Sequence, residues 1–258
     1  MFAKLCCGRV DKAEVLLYPG LEELSLAAAW FTAGLARDSI RARGFFRLSL
    51  AGGETPRLLY KYLGGPPFDT VINWRKTHLY WGDERCVTPD HPDSNFRVAF
   101  ENLISRVPLI AGHVHRIKAE MTVSADAVAA YEKLLRETFY HVGSPPGERP
   151  VTFDLALLGV GPDGHTASLF PEDAALREED HWVALVSSPQ GSPRITLTLP
   201  VLNGARCVAF LVAGAAKQKV VSRILATPAG FQERYPAAMI SPRERLVWFV
   251  DREANGGI

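Results

Sequence analysis

Hydrophobic and polar positions alternate along this chain on two length scales. Short apolar runs occur at residues 45–50, 77–81, 155–160, 207–213 and 246–251. Apolar runs this short, bounded by glycine or by charged residues, are typical of buried strands. Residues 183–187 and 194–199 are rich in β-branched and aliphatic side chains, so we expect two further strands there.

Longer segments of helical composition separate these runs. We predict helices at residues 25–43, 57–63, 95–105, 124–141 and 215–225. Thr55 can cap the second of these helices, Pro56 suits its first turn, and Ser124 can cap the fourth. Strands that alternate with helices predict an α/β fold: a single-domain, Rossmann-like, mostly parallel sheet with helices on both faces. The Pro- and Gly-rich segment 143–150 is expected to be a surface loop, so that residues 1–258 form one domain.

Composition and charge narrow the class of protein. The 258 residues are 47% hydrophobic, enough for a sizeable core, and the net charge of +1 favours neither a nucleic-acid nor a membrane partner. No segment approaches the roughly 20 apolar residues of a membrane span, and the N-terminus lacks the apolar run of a signal peptide. The four cysteines lack CxxC spacing, which indicates a reducing compartment. We therefore expect a cytoplasmic protein.

Candidate chemistry collects in four segments, each directly after a predicted strand. We expect these segments to be loops, at residues 52–56, 83–85, 161–165 and 214–217. Open α/β sheets bind ligands at the carboxyl ends of their strands, so we expect all four at one cleft. Gly52, Gly53 and Thr55 offer backbone N–H groups and a hydroxyl to an anion. Lys217 lies near a helix start, where a cation is favoured only beside an anion.

Charged side chains in the same segments are candidates for acid–base and electrostatic roles. His165 can accept a proton near neutral pH, and Asp163 lies two residues before it. Asp83 and Arg85 form a second charged cluster, in which the planar guanidinium suits a phosphate or a developing oxyanion. Arg194 either faces the same cleft or caps the edge of the sheet. The plain alternative for each residue is a solvated surface group or a surface ion pair.

The histidines and cysteines do not predict a metal site. His113 and His115 are two residues apart, but no nearby acid or cysteine completes a ligand set. We therefore expect no metal ion.

At these segments the chain resembles the 6-phosphogluconolactonases. The resemblance is carried by LSLAGGETP (48–56), HLYWGDERCVTPDHPDSN (78–95), FDLALLGVGPDGHTASLFP (153–171), RITLTLPVLNGARCVAFLVAG (194–214) and the following Lys217. It implies hydrolysis of 6-phospho-D-glucono-1,5-lactone to 6-phospho-D-gluconate, the second step of the oxidative pentose phosphate pathway. It also implies a sugar-phosphate lactone as the partner and no metal or organic cofactor.

The resemblance and the available groups together imply a role for each candidate residue. His165 is expected to be the general base that activates water, and Arg85 is expected to stabilise the oxyanion. Asp163 is expected to orient His165 or to hold a substrate hydroxyl, and Asp83 to hold a hydroxyl. The 6-phosphate is expected to bind a group of cationic, hydroxyl and N–H donors: Gly52, Gly53, Thr55, Arg194 and Lys217. Many lactonases have a serine at the position of Glu54, and we expect this carboxylate to point away from the phosphate.

Two alternatives share the predicted fold. Glucosamine-6-phosphate deaminases resemble GxDGHIAFNEP, with a glutamate soon after the histidine, whereas TASLFP follows His165 here. Deaminases also carry a tyrosine where this chain has Arg85, so the sequence favours lactone hydrolysis. The other alternative is a catalytically silent sugar-phosphate sensor. Ser168 is not in a GxSxG nucleophile elbow, so we do not expect a serine-hydrolase mechanism.

Overall fold

The computed structural model describes residues 7–10, 13–139, 152–226 and 234–255. Its strands are β1 (Cys7–Val10), β2 (Ala13–Tyr18), β3 (Phe46–Leu50), β4 (Thr77–Trp81), β5 (Asp83–Arg85), β6 (Val114–His115), β7 (Leu155–Leu158), β8 (Val183–Ser187), β9 (Pro193–Leu197), β10 (Cys207–Val212) and β11 (Arg245–Asp251). Its α-helices are α1 (Leu21–Arg43), α2 (Glu54–Leu63), α3 (Phe68–Val71), α4 (Asn95–Asn102), α5 (Ser124–Phe139), α6 (Leu199–Asn203) and α7 (Gln218–Leu225).

Within the described residues, eight strands form one sheet in the order β1-β2-β11-β10-β7-β3-β4-β6. Every neighbouring pair is parallel except β1 and β2, which are antiparallel. This arrangement confirms the predicted α/β class and the mostly parallel sheet. The five apolar runs used for that prediction are β3, β4, β7, β10 and β11, so the central strands were predicted from hydrophobicity alone.

The core lies along the central strands. All four residues of β7 and all six of β10 are buried, as expected for strands covered on both faces. The rings of Phe210 and Trp248 stack across β10 and β11 with centroids 4.1 Å apart. Helix α1 packs against β2, β3 and β11, and α2 packs against β10. This packing holds the carboxyl ends of neighbouring parallel strands at a common edge.

A second, antiparallel sheet lies beside the first, with the order β5-β9-β8. Asp83 pairs with Thr196, and Arg85 pairs with Arg194, across β5 and β9. The prediction that residues 83–85 form a loop is therefore wrong: they form a short strand. Its three polar residues carry no strand pattern, and only the pairing with β9 makes them extended.

The starts of three helices differ from or refine the predictions. Helix α2 begins at Glu54 after Gly53, so Thr55 lies inside the helix and is not its cap. Ser94 caps α4 by accepting a hydrogen bond from the N–H of Arg97 at 3.2 Å. Ser124 is the first residue of α5 rather than the residue before it. The predicted end of that helix at residue 141 and the predicted loop at 143–150 lie outside the described residues.

Among the described residues, no helix combines the length and the apolar character that crossing a bilayer would require.

Candidate active site

The four segments singled out in the sequence follow β3, β4, β7 and β10, which are neighbours in the sheet. Because the four strands are parallel, their carboxyl ends meet at one edge, where a cleft of about 200 Å³ opens. Most of the predicted site residues line it: Gly52, Gly53, Asp83, Arg85, His165, Arg194 and Lys217. Thr55 and Asp163 do not line this cleft.

Asp163 lies behind His165 and holds its imidazole. His165 Nδ1 is 2.6 Å from Asp163 Oδ1, which also accepts the backbone N–H of His165 at 3.1 Å. A carboxylate at Nδ1 favours the tautomer with the proton on that nitrogen, which leaves the Nε2 lone pair free to accept a proton. The ring of Phe170 packs on the imidazole with centroids 4.8 Å apart. The imidazole is therefore held by both a hydrogen bond and an aromatic contact.

Glycines shape the loop that carries this pair. Gly161 donates its N–H to the carbonyl of His165 at 2.8 Å, and its own carbonyl accepts the N–H of Gly164 at 3.0 Å. Gly164 has a φ of 89°, which only glycine adopts readily. Ala237 donates its N–H to the carbonyl of Gly164 at 3.0 Å, which ties the loop to the segment after α7.

Asp83 connects three segments at the floor of the cleft. Its Oδ2 accepts the hydroxyl of Ser168 at 2.6 Å, and its Oδ1 accepts the side-chain N–H of Asn95 at 3.2 Å. Asn95 also donates to the carbonyl of Asp83 at 2.9 Å. Ser168 is completely buried, which is not the setting of an exposed nucleophile. Asn95 lines the cleft but was not a candidate in the sequence analysis. Its signal in the sequence was the Ser94-Asn95 pair that ends the segment 78–95.

Glu84 fastens β5 to the start of α4. Its Oε1 accepts the backbone N–H groups of Arg85 and Asn95, both at 2.8 Å. Its Oε2 accepts the N–H of Phe96 at 2.8 Å and the hydroxyl of Ser94 at 3.1 Å. Burial raises the pKa of Glu84, while these backbone hydrogen bonds lower it. The carboxylate thus sets the position of Arg85 relative to α4.

Arg85 and Arg194 form a pair of like charges. They are direct partners across β5 and β9, and the Nε atoms of both are buried and have no hydrogen-bond partner in the described part of the chain. Arg85 donates from Nη1 to the carbonyl of Asp93 at 2.5 Å. Burial lowers the pKa of Arg194, and the charge of Arg85 lowers it further. Like charges placed opposite each other repel, so this pair favours a bound anion.

Lys217 is the third cation that lines the cleft. The predicted helix 215–225 is a 3-10 turn over Ala215–Lys217 that continues as α7. Burial lowers the pKa of Lys217, and the charge of Asp163 opposes this shift. Lys217 therefore lies within electrostatic range of the Asp163–His165 pair.

Glu54 points away from the cleft, as expected. Its side chain is 81% exposed and lies 3.1 Å from the guanidinium of Arg57. Thr55, which follows it, is half-buried inside α2. Gly52 and Gly53 are thus the members of this loop that face the cleft.

Among the described residues, no group of three His, Cys, Asp or Glu side chains is arranged to hold a metal ion. His78 Nδ1 lies 3.1 Å from His115 Nε2 on β4 and β6, and neither residue lines the cleft.

Known proteins are similar to this chain in sequence and in fold. Residues 19–248 match the family described as glucosamine-6-phosphate isomerases/6-phosphogluconolactonase. A 6-phosphogluconolactonase from Synechocystis sp. is 41% identical over 217 residues, which cover 84% of this chain and 86% of that protein. A probable 6-phosphogluconolactonase 2 from Oryza sativa subsp. indica is 35% identical over 253 residues, covering 95% of this chain and 90% of that protein.

A solved structure is similar over the same length. The 6-phosphogluconolactonase from Thermotoga maritima superposes with a TM-score of 0.78 at 30% identity, covering 93% of this chain and 100% of that chain. Sequence and fold therefore agree over most of the protein. The chain belongs to the glucosamine-6-phosphate isomerase/6-phosphogluconolactonase family.

Proposed function

We propose that this protein hydrolyses 6-phospho-D-glucono-1,5-lactone to 6-phospho-D-gluconate. The observation that carries the proposal is an imidazole held at Nδ1 by Asp163 in a cleft that is also lined by Arg85, whose buried Nε has no hydrogen-bond partner among the described residues. The names of the relatives from Synechocystis and Oryza support it. The run from Thr166 to Pro171 contains no acid, which disfavours the isomerase chemistry that the family description also names.

The geometry supports a mechanism with water as the nucleophile. His165 Nε2 takes a proton from water while the oxygen attacks the lactone carbonyl, and Asp163 stabilises the imidazolium that forms. The carbonyl oxygen becomes an oxyanion, which Arg85 stabilises. His165 then gives the proton to the ring oxygen as the ester bond breaks. The products are the ring-opened carboxylic acid, with the hydroxyl on the former ring oxygen, and the neutral histidine.

We assign the 6-phosphate to the remaining donors of the cleft. Arg194, Lys217 and the backbone N–H groups of Gly52 and Gly53 supply positive charge and hydrogen bonds. Thr55 lies in α2 outside the cleft lining, so we assign its hydroxyl the smallest contribution. Asp83 keeps free lone pairs beside its two hydrogen bonds and is our candidate to accept a substrate hydroxyl.

A lactonase assay on freshly generated 6-phosphogluconolactone tests the proposal, with spontaneous hydrolysis subtracted. We expect turnover by the wild type and a loss of roughly 10²–10⁴-fold in kcat for His165→Ala, because general-base catalysis contributes that much. His181→Ala is the matched control, since this imidazole is 69% exposed and lies beside Glu132. Near-normal turnover by His165→Ala would remove its role as the base.

A parallel assay separates the two alternatives. Ammonia release from glucosamine 6-phosphate without accelerated lactone hydrolysis would identify a deaminase-like isomerase. Binding of a sugar phosphate without either reaction would identify a sensor. We propose a cytoplasmic location and no nucleic-acid partner on the grounds of the sequence.

A further inference from the structure

Asp251 is a buried carboxylate at the carboxyl end of β11, the strand beside β10. It is 4% exposed. Its Oδ1 and Oδ2 accept the N–H of Gly214 at 3.1 and 3.0 Å, and Oδ1 accepts the N–H of Ala254 at 2.8 Å. No cation among the described residues forms a salt bridge with it. Burying a carboxylate is costly unless hydrogen bonds replace its hydration, and here backbone N–H groups do so.

The contact with Gly214 controls the turn that carries Lys217. Gly214 has a φ of 91°, and its carbonyl accepts the N–H of Lys217 at 3.0 Å. The two backbone groups of Gly214 therefore link the carboxylate of Asp251, which accepts the N–H, to the backbone of Lys217, which donates to the carbonyl.

Lys217 needs this support because its side chain is long and half-buried. Burial lowers its pKa while the charge of Asp163 opposes this shift, so a bound anion would stabilise the ammonium further. A flexible ammonium contributes to binding only if ordering it costs little entropy, and a fixed backbone lowers that cost.

We propose that Asp251 is a positioning residue for Lys217 and thereby sets the affinity of the cleft for the phosphate of the substrate. It does so without touching the substrate. The inference rests on the proposed function in assigning the phosphate to Lys217.

Asp154 provides a matched control for this idea. It is 5% exposed and accepts hydrogen bonds from Arg43 Nη2 at 2.7 Å and from the N–H of Arg47 at 2.8 Å. It lies just before β7, at the amino end of the strand and opposite to the cleft. A merely structural buried carboxylate should behave like Asp154.

The first test compares Asp251→Asn with Asp154→Asn in steady-state kinetics and thermal unfolding. An asparagine keeps one acceptor for Gly214 but turns an NH₂ group towards the same N–H. We expect Asp251→Asn to raise KM roughly tenfold with kcat within about twofold of wild type, which is the signature of lost binding. Asp154→Asn should lower the Tm and leave KM unchanged. An unchanged KM in Asp251→Asn, or an equal loss of kcat, overturns the inference.

The second test places Asp251→Asn in a Lys217→Ala background. If Asp251 acts through Lys217, the double variant should have the KM of Lys217→Ala alone. Multiplicative increases in KM would show that Asp251 acts by another route. If Asp251→Asn does not fold, Gly214→Ala replaces it, because an alanine is strained at this φ and breaks the same link from the other side.

A third measurement does not depend on the reaction. Amide hydrogen exchange at Gly214 and Lys217 should be faster in Asp251→Asn than in wild type, with no comparable change in β7. A wild type that fails to hydrolyse the lactone would end the proposed function but not the positioning inference. In that case amide exchange and a titration with inorganic phosphate test the positioning inference. Exchange that is unchanged in Asp251→Asn, or phosphate affinity equal to that of wild type, overturns the inference.

Discussion

At the scale of single residues, the lack of a side chain on Gly161 leaves the space in which the imidazole of His165 lies. A Cβ on Gly161 would be 2.1 Å from His165 Nδ1 and 2.6 Å from Asp163 Oδ1. Both distances are far shorter than carbon contacts in proteins, so the His165–Asp163 pair occupies the space that any side chain at position 161 would need. The sequence shows a glycine there, but the contact that requires it spans the folded loop.

We predict that Gly161→Ala displaces His165 and lowers kcat by roughly 10²-fold, because a shift of about 1 Å in a catalytic group costs that much. KM should change less, since the phosphate donors lie on other loops. Steady-state kinetics measures both. Gly112→Ala is the control, because among the described residues, its two chain neighbours apart, an added methyl there meets no atom within 4 Å. A Gly161→Ala enzyme with wild-type kcat would show that the imidazole position is not critical.

At the scale of elements, β5 and β9 hold two arginines opposite each other against their mutual repulsion. Burial and then the charge of Arg85 lower the pKa of Arg194, although nearby carboxylates oppose this shift, so its guanidinium is held at some cost in the absence of an anion. We therefore expect this arginine pair to lower the stability of the free protein and to raise its affinity for a phosphate.

We predict that Arg194→Met raises the Tm of the free protein and raises KM. A gain of about 1 kcal/mol corresponds to about 2–4 °C in a chain of this length. Thermal unfolding without ligand and steady-state kinetics check the two effects. Arg116→Met is the control: it breaks an ion pair with Glu120 at 2.7 Å and should lower the Tm with KM unchanged. A lower Tm for Arg194→Met would contradict the repulsion argument.

At the scale of the whole molecule, a histidine cluster on β4 and β6 links stability to pH. His78 stacks on His113 with centroids 3.8 Å apart, and its Nδ1 is 3.1 Å from His115 Nε2. Burial, followed by the charges of the neighbouring histidines and Arg47, lowers the pKa values of His78 and His115 to about 4. Tyr80 also packs on His115, with centroids 4.5 Å apart. The folded protein therefore favours the neutral forms of His78 and His115.

We predict that the free energy of unfolding falls as the pH drops from about 6.5 towards 4. In this window the unfolded chain, with ordinary histidine pKa values near 6.5, binds more protons than the folded protein. The contribution of His78 and His115 to the free energy of unfolding is complete above about pH 6.5. It is lost as the pH falls towards their pKa values in the folded protein, about 4. Thermal unfolding from pH 7.5 to 4 measures this, and His115→Gln should show a shallower fall. Equal slopes for both proteins would contradict the prediction.

Three strands, β2, β5 and β6, could not be predicted from the hydrophobic pattern of the sequence. Strand β6 has two residues, too few for any periodicity, and β5 is the polar triplet Asp-Glu-Arg. Strand β2 has a mixed burial pattern and was missed because its apolar run is short. These strands exist because a partner strand satisfies their backbone groups, and such pairing joins residues far apart in the chain.

Sequence alone determined the central strands, the α/β class and the segments that carry the candidate chemistry. Apolar runs predict buried strands, and parallel strands bring their carboxyl ends to one edge. Only the tertiary structure decided which groups in the cleft are paired: Asp163 lies behind His165, Arg194 faces Arg85, and Asp251 supports the turn of Lys217. The physical reason is that the partners of Arg194 and Asp251 depend on strand register and on contacts between distant segments, while the contact of Asp163 with His165 depends on the conformation of its glycine loop. Local hydrophobic patterns encode neither.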